Sequence, residues 1–253
     1  MEKKLAGKVA LVTGAGAGIG KAIALRFARE GAQLAVLELD PERAQATCSE
    51  IERAGSAALA LAGDVRDDAV VAEATEQIRR RFKTLHVLVN NAGIARKQMF
   101  EHMTREDWDA VWDTNLTGAM NTVRRALPLL KEQPGGKIVN IASVEVFSHS
   151  RKLSAYAASK GALAGLSRTL AVELAPWKIC VNYICPGFIR TEMTQAYYRR
   201  WLFRKFVERQ TPLGRMGEPE DVARVALFLS SSDSDFVTGQ GIVVDGGLTL
   251  RVL

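Results

Sequence analysis

Seven short apolar runs recur along this chain, and most of the gaps between them carry a helical hydrophobic pattern. The runs are Val9–Thr13, Gln33–Glu38, Ala57–Ala62, Val87–Asn90, Lys137–Ala142, Cys180–Ile184 and Gly241–Val244. Several are nearly continuous in apolar residues, the pattern of parallel strands covered on both faces. Helical stretches lie between them at Lys21–Arg29, Glu42–Ala54, Ala69–Arg81, Thr104–Leu130 and Tyr156–Leu174. Right-handed crossovers then predict an α/β fold: a doubly wound parallel sheet of about seven strands with helices on both faces. No Pro/Gly/Ser-rich linker interrupts the chain, so residues 1–253 are expected to form a single domain.

Composition narrows the function classes. No run of about 18 apolar residues occurs, and the first residues lack an apolar stretch of signal-peptide length, so a cytoplasmic protein without a membrane partner is expected. Three cysteines without a C-x-x-C pair, and histidines scattered at 86, 102 and 149, indicate neither a disulfide framework nor a metal site. The net charge is +6. Residues 190–209 hold six Lys/Arg against two Glu, so one segment carries most of the excess. No nucleic-acid-binding module accompanies it, and no nucleic-acid partner is expected.

Between the first strand and the first helix stands TGAGAGIG. Its glycines do not fit G-x-G-x-x-G; Gly14, Gly18 and Gly20 fit G-x-x-x-G-x-G. Backbone that can approach a pyrophosphate, at a helix N-terminus, is a phosphate-binding device. A tight turn of small residues is the alternative. A carboxylate about 20 residues further on could hold ribose hydroxyls. Asp40, ahead of Pro41, is a natural helix N-cap. Glu38 ends the second strand where such a ligand would lie, and is assigned to the ribose. With no Arg or Lys in 14–20 or 36–40, NAD is preferred over NADP.

Tyr156 and Lys160 are i, i+4 neighbours on a helix, where an ammonium beside a phenol would lower the phenol's pKa and suit it to proton transfer. Ser143, at the end of KIVNIAS, could hold a substrate oxygen. Together with the glycine turn (Thr13 to Gly20), these residues resemble the classical short-chain dehydrogenase/reductase family. So do Asp64-Val65, Asn90–Gly93, Asn115 in TNLTG, and Pro186, Gly187 and Thr191 in P-G-x-x-x-T. The resemblance covers essentially the whole chain and implies a Rossmann-type sheet and a nicotinamide cofactor. It implies catalytic roles for Asn115, Ser143, Tyr156 and Lys160: Tyr156 as general acid/base, Lys160 holding its pKa down and binding ribose, Asn115 positioning a water. It implies cofactor contacts from Gly14, Gly18, Ile19, Gly20, Asp64, Val65, Asn91, Ala92, Gly93, Pro186, Gly187, Ile189 and Thr191, besides Tyr156 and Lys160. The implied activity interconverts a secondary alcohol and a ketone. A 3-oxoacyl-[acyl-carrier-protein] or 3-oxoacyl-CoA reductase is the alternative, and an inactive nucleotide-binding scaffold is a third reading that the intact tetrad disfavours.

The family places a substrate lid around 190–212. Here it interleaves Tyr197, Tyr198, Trp201, Phe203 and Phe206 with Arg199, Arg200, Arg204 and Lys205. The arginines could meet an anionic substrate; the preferred reading is an amphipathic helix with aromatics packed inward and charges solvated. Glu145, beside Ser143, and Tyr197 are the candidate substrate contacts, and a sugar, polyol or cyclic alcohol is expected. The resemblance also implies a homotetramer.

Overall fold

The computed structural model describes residues 3–250. Seven parallel strands, β1 (Val9–Thr13), β2 (Gln33–Glu38), β3 (Ala58–Ala62), β4 (Val87–Asn90), β5 (Lys137–Ile141), β6 (Cys180–Pro186) and β7 (Gly241–Val244), form one sheet in the order β3-β2-β1-β4-β5-β6-β7. The order reverses between β1 and β4, and in sheets of this kind ligands bind beyond the carboxyl ends of the strands at that switch point. The registers Val12↔Val36, Glu38↔Ala62 and Asn90↔Asn140 bring these strand ends to one edge.

Helices cover both faces. On one, α1 (Gly18–Arg29), α2 (Pro41–Arg53) and α9 (Pro219–Ser230) enclose Val12, Ile23, Phe27, Val36 and Val222. On the other, α3 (Asp68–Phe82), α5 (Gly118–Leu130) and α6 (Ser154–Glu173) enclose Leu11, Leu37, Ile78, Leu88 and Leu129. The helix starts follow from local sequence. Asp40 accepts from the backbone N–H of Glu42 and Arg43, with Pro41 in the first turn of α2; Asp67 does the same for α3. Thr104 caps α4 (Arg105–Trp112).

The long helix expected over Thr104–Leu130 is interrupted. Residues Asp113–Thr117 form a π-turn between α4 and α5, and Asn115 sits inside it, buried. Such bulges turn a side chain out of the regular helical register. Below the site a buried polar seam crosses the sheet. Thr122 of α5 donates to Asn90 of β4, Asn90 to Asn140 of β5, and Asn140 to Ser167 of α6. Satisfied buried networks of this kind fix relative positions, here the position of α6 against the sheet.

The segment after β6 holds α7 (Gln195–Tyr198) and α8 (Trp201–Gln210). The expectation that its aromatics pack inward fails. On α8, Phe203, edge-on to Phe188 at 5.7 Å, and the buried Val207 face the body. Trp201, Leu202 and Phe206 are 61%, 76% and 57% exposed. The spacing gives α8 an inward stripe of two residues, too narrow to bury the rest. The side chain of Tyr197 lies outside the described residues.

Candidate active site

One cleft of about 540 Å³ runs along the carboxyl edge of the sheet. At its β1 end the chain turns through Gly14 into α1. Gly14 has φ +61, and a Cβ there would lie 2.9 Å from the Ala92 backbone; one at Gly20 would fall on the Gly14 carbonyl and the Asn91 amide. Asn91 fills the space this leaves, its amide donating to the Thr13 and Gly14 carbonyls at 3.0 and 2.9 Å. The turn is therefore locked from beneath by the strand-ending Asn90–Gly93 segment. Gly20 belongs to this packing and is not among the cleft-lining residues. Helix α1 starts at Gly18 with no side-chain cap and no acid in its first turn, unlike α2, α3 and α4. Its N-terminal N–H groups are open to an anion from the cleft.

Glu38 stands at the end of β2, its carboxylate accepting from Gly16 N at 2.9 Å and Leu39 N at 3.0 Å. Asp64, Val65 and Arg66 line the floor beyond β3. Arg66 donates from both Nε and Nη2 to Asp64 Oδ2, and this pairing holds the Asp64 carboxyl below its usual range. Neither 14–20 nor 36–40 holds an Arg or Lys, but the fold brings a cation to Glu38 from just beyond them. Arg43, in the first turn of α2 and three residues past the stretch considered, lies alongside it. A Cβ on Gly16 would sit 2.7 Å from Arg43 Cβ and 2.8 Å from Glu38 Cγ. The helical turn, not the strand, delivers this arginine.

At the β5–β6 end, Ser143, Tyr156 and Lys160 meet the same cleft with Pro186, Gly187, Ile189 and Thr191. Ser143 Oγ accepts from Glu145 N at 3.2 Å, and burial pushes the Tyr156 phenol up to about 12, with Glu145 adding to the rise and the neighbouring Ser143 opposing it. Lys160 is buried; its Nζ donates to the Ile141 carbonyl at 2.7 Å and lies 5.7 Å from the Tyr156 ring centre. Burial pulls this amine down to about 8. The ammonium is turned to a backbone carbonyl and is not among the groups that set the phenol's pKa, which burial dominates.

Asn115 reaches the site indirectly. It accepts from Ile94 N at 2.8 Å and donates to Ile94 O and to Ser159 Oγ at 3.0 Å, tying the loop after Gly93 to α6. Glu145 is buried and accepts from Ser150 N and Ser150 Oγ at 2.8 and 2.6 Å. It staples the loop ahead of α6 and is not among the residues that line the cleft. Arg96 and Met193 do line it and escaped the sequence reading, since neither belongs to a recurring spacing. Among the described residues, no three or more His, Cys, Asp or Glu gather in metal-binding geometry, and no helix is long and apolar enough to cross a membrane.

A family sequence model described as enoyl-(acyl carrier protein) reductase matches residues 14–249. The 3-oxoacyl-[acyl-carrier-protein] reductase of Thermotoga maritima is 40% identical over 98% of this chain and 100% of its own. The chain belongs to the short-chain dehydrogenase/reductase family. The 5-keto-D-gluconate 5-reductase of Escherichia coli is 36% identical, over 98% of both chains. A gluconate 5-dehydrogenase from Burkholderia cenocepacia, solved with NADP and tartrate, superposes with a TM-score of 0.94 at 34% identity, covering 99% of this chain and 98% of that one. The single Rossmann-type domain and membership of an oxidoreductase family that uses nicotinamide cofactors follow. The open α1 terminus, the close-packed glycine turn and the Glu38 carboxylate fit such a dinucleotide.

Proposed function

We propose that the protein is an NAD(H)-dependent oxidoreductase that interconverts a secondary alcohol and a ketone on a small polyhydroxy or cyclic substrate. The observation that carries this reading is that Ser143, Tyr156 and Lys160 line the same cleft as the uncapped N-terminus of α1. A nicotinamide dinucleotide, when bound, supplies or accepts the hydride. Gly14, Gly18, Ile19 and the α1 N–H groups hold the pyrophosphate, with Gly20 and Asn91 shaping the turn. Glu38 takes the adenosine ribose, and Asp64 and Val65 border the adenine. Ala92, Gly93, Pro186, Gly187, Ile189 and Thr191 line the remainder. Ser143 Oγ orients the substrate oxygen, and Tyr156 Oη moves the proton. With its pKa near 12 the phenol is protonated at neutral pH, so the free protein is set to donate to a ketone oxygen. Lys160 Nζ binds the second ribose and supports the returning proton. Asn115 positions the loop that carries Ile94.

Residues 190–212 serve as the substrate lid, and Arg96 places a cation on the cleft lining. Arg96 is paired with Asp107 at 3.3 Å, and by exchanging that contact it would suit an acidic polyhydroxy substrate, in keeping with the gluconate-related relatives. The second reading, a 3-oxoacyl thioester reductase, draws on the 40% identity to the Thermotoga maritima enzyme and the basic 190–209 segment. The exposed Val172 on α6 and Met120 on α5 are the surfaces we assign to a homotetramer, and the protein works in the cytoplasm.

A screen of sugars, polyols, sugar acids, cyclic alcohols and 3-oxoacyl thioesters, followed by NADH absorbance, separates the two substrate readings. Turnover confined to thioesters would overturn the first. Glu38→Ala tests the coenzyme: we expect the kcat/KM ratio of NAD to NADP to fall about tenfold, the size of one charge-assisted contact and one repulsion. An unchanged ratio refutes the ribose assignment.

A further inference from the structure

The cation beside Glu38 has a specific partner. Arg43 Nη1 lies 2.7 Å from Glu192 Oε2, a contact between the first turn of α2 and the segment that follows β6, 149 residues later. Both residues stand at the cleft: Glu192 lines it, and Arg43 leans against Glu38 over Gly16. Asp40 Oδ2 approaches the same guanidinium at 3.4 Å. Arg43 is thus surrounded by three carboxylates, Glu38, Asp40 and Glu192, of which only Glu192 comes from outside the β2–α2 corner. Glu38 is committed to the backbone of Gly16 and Leu39, and Asp40 to capping α2. The Glu192 carboxylate has no hydrogen-bond partner other than Arg43 among the described residues, and the side chain is 62% exposed.

We propose that Glu192 determines coenzyme selectivity by engaging Arg43, whose side chain packs beside Glu38 at Gly16, and so withholding its guanidinium from a ribose 2′-phosphate. A 2′-phosphate arriving at Glu38 needs a cation to offset the carboxylate. Arg43 is placed to provide it, but only by leaving Glu192. The choice between the two dinucleotides is therefore made partly by the lid segment and not solely by the strand that carries Glu38. This rests on the assignment of Glu38 to the ribose.

The pair is half-exposed and weak by the standard of surface ion pairs, so removing one partner shifts affinity without unfolding the chain. We expect Glu192→Gln to tighten NADPH binding about fivefold relative to NADH, read as the ratio of dissociation constants from nucleotide fluorescence titration, with no turnover involved. Arg43→Gln alone weakens NADPH relative to NADH. In the double variant Arg43→Gln/Glu192→Gln the gain is absent, because it depends on the freed guanidinium. A ratio unchanged in Glu192→Gln overturns the proposal, and so does a gain that survives in the double variant. Glu38→Ala, titrated in parallel, tests the underlying reading separately: an unmoved ratio there with a moved ratio in Glu192→Gln removes the ribose assignment while leaving Arg43 as a phosphate partner.

Discussion

The two ends of the cleft carry charge in opposite ways. At the β2–β3 end, Asp64, Arg66, Arg43 and Glu192 are 25%, 49%, 48% and 62% exposed at their side chains and answer one another in ion pairs. At the β5–β6 end, Lys160 is sealed away with one carbonyl partner, and the Tyr156 phenol is buried. Charges near water cost little to hold and are easily exchanged for a ligand's groups. A buried amine or phenol is displaced from its ordinary pKa and costs the fold stability. The first arrangement suits recognition by replacement of contacts, and the second suits proton transfer.

The sharpest way to break this contrast is at Tyr156. Tyr156→Phe removes only the hydroxyl, so a general acid/base role predicts a loss of about 10³-fold or more in kcat. NADH affinity should stay within a few-fold, since the recognition end is untouched. Fluorescence titration beside steady-state rates checks both, and turnover near that of the parent removes the phenol from the mechanism.

The recognition end was the more legible of the two, and the reason is register. Strand ends at Thr13, Glu38 and Asn90 are fixed by pairing, so motifs tied to them land where spacing says they should. Asp40 read correctly as a cap because capping is a local property. What sequence spacing missed arises from packing between distant segments. Arg43 reaches Glu38 through the first turn of α2; Glu145 turns to Ser150 and not to the cleft; Arg96 comes in on a loop without a repeat. The direction of Lys160 was missed for the same cause. An i, i+4 spacing places two side chains on one face, but it does not say that the carbonyl of Ile141 will be the nearer partner.

Lys160 sharpens the comparison through pH. Its folded pKa of about 8 lies below the ordinary lysine value of about 10.4. Between those values the unfolded chain binds more protons than the folded one, so stability rises with pH across that window and is flat below it. Lys160→Met lacks this slope. The parent is therefore expected to gain stability on Lys160→Met between pH 8 and 10, measured as the difference in urea unfolding free energies. A constant difference would mean that the amine is not held at a desolvation cost, and the contrast between the two ends would lose its physical basis. The ion-paired Arg66 and Arg43 offer no such slope, because their raised pKa values lie above this pH window.

The smallest effect is expected on α8, which belongs to neither end. Its outward face carries Trp201, Leu202 and Phe206, and its inward face rests on Phe203 and Val207. An exposed side chain has little burial to lose, so Trp201→Ser should change the unfolding free energy by no more than about 0.5 kcal/mol. Val207→Ala, by contrast, removes buried methyl groups and should cost about 1–2 kcal/mol. Urea melts at low protein concentration compare the two directly. If Trp201→Ser costs as much as Val207→Ala, something in solution covers the outward face. Repeating the melts over a range of protein concentration then identifies a second copy of the chain as the cover, because only association makes the midpoint depend on concentration.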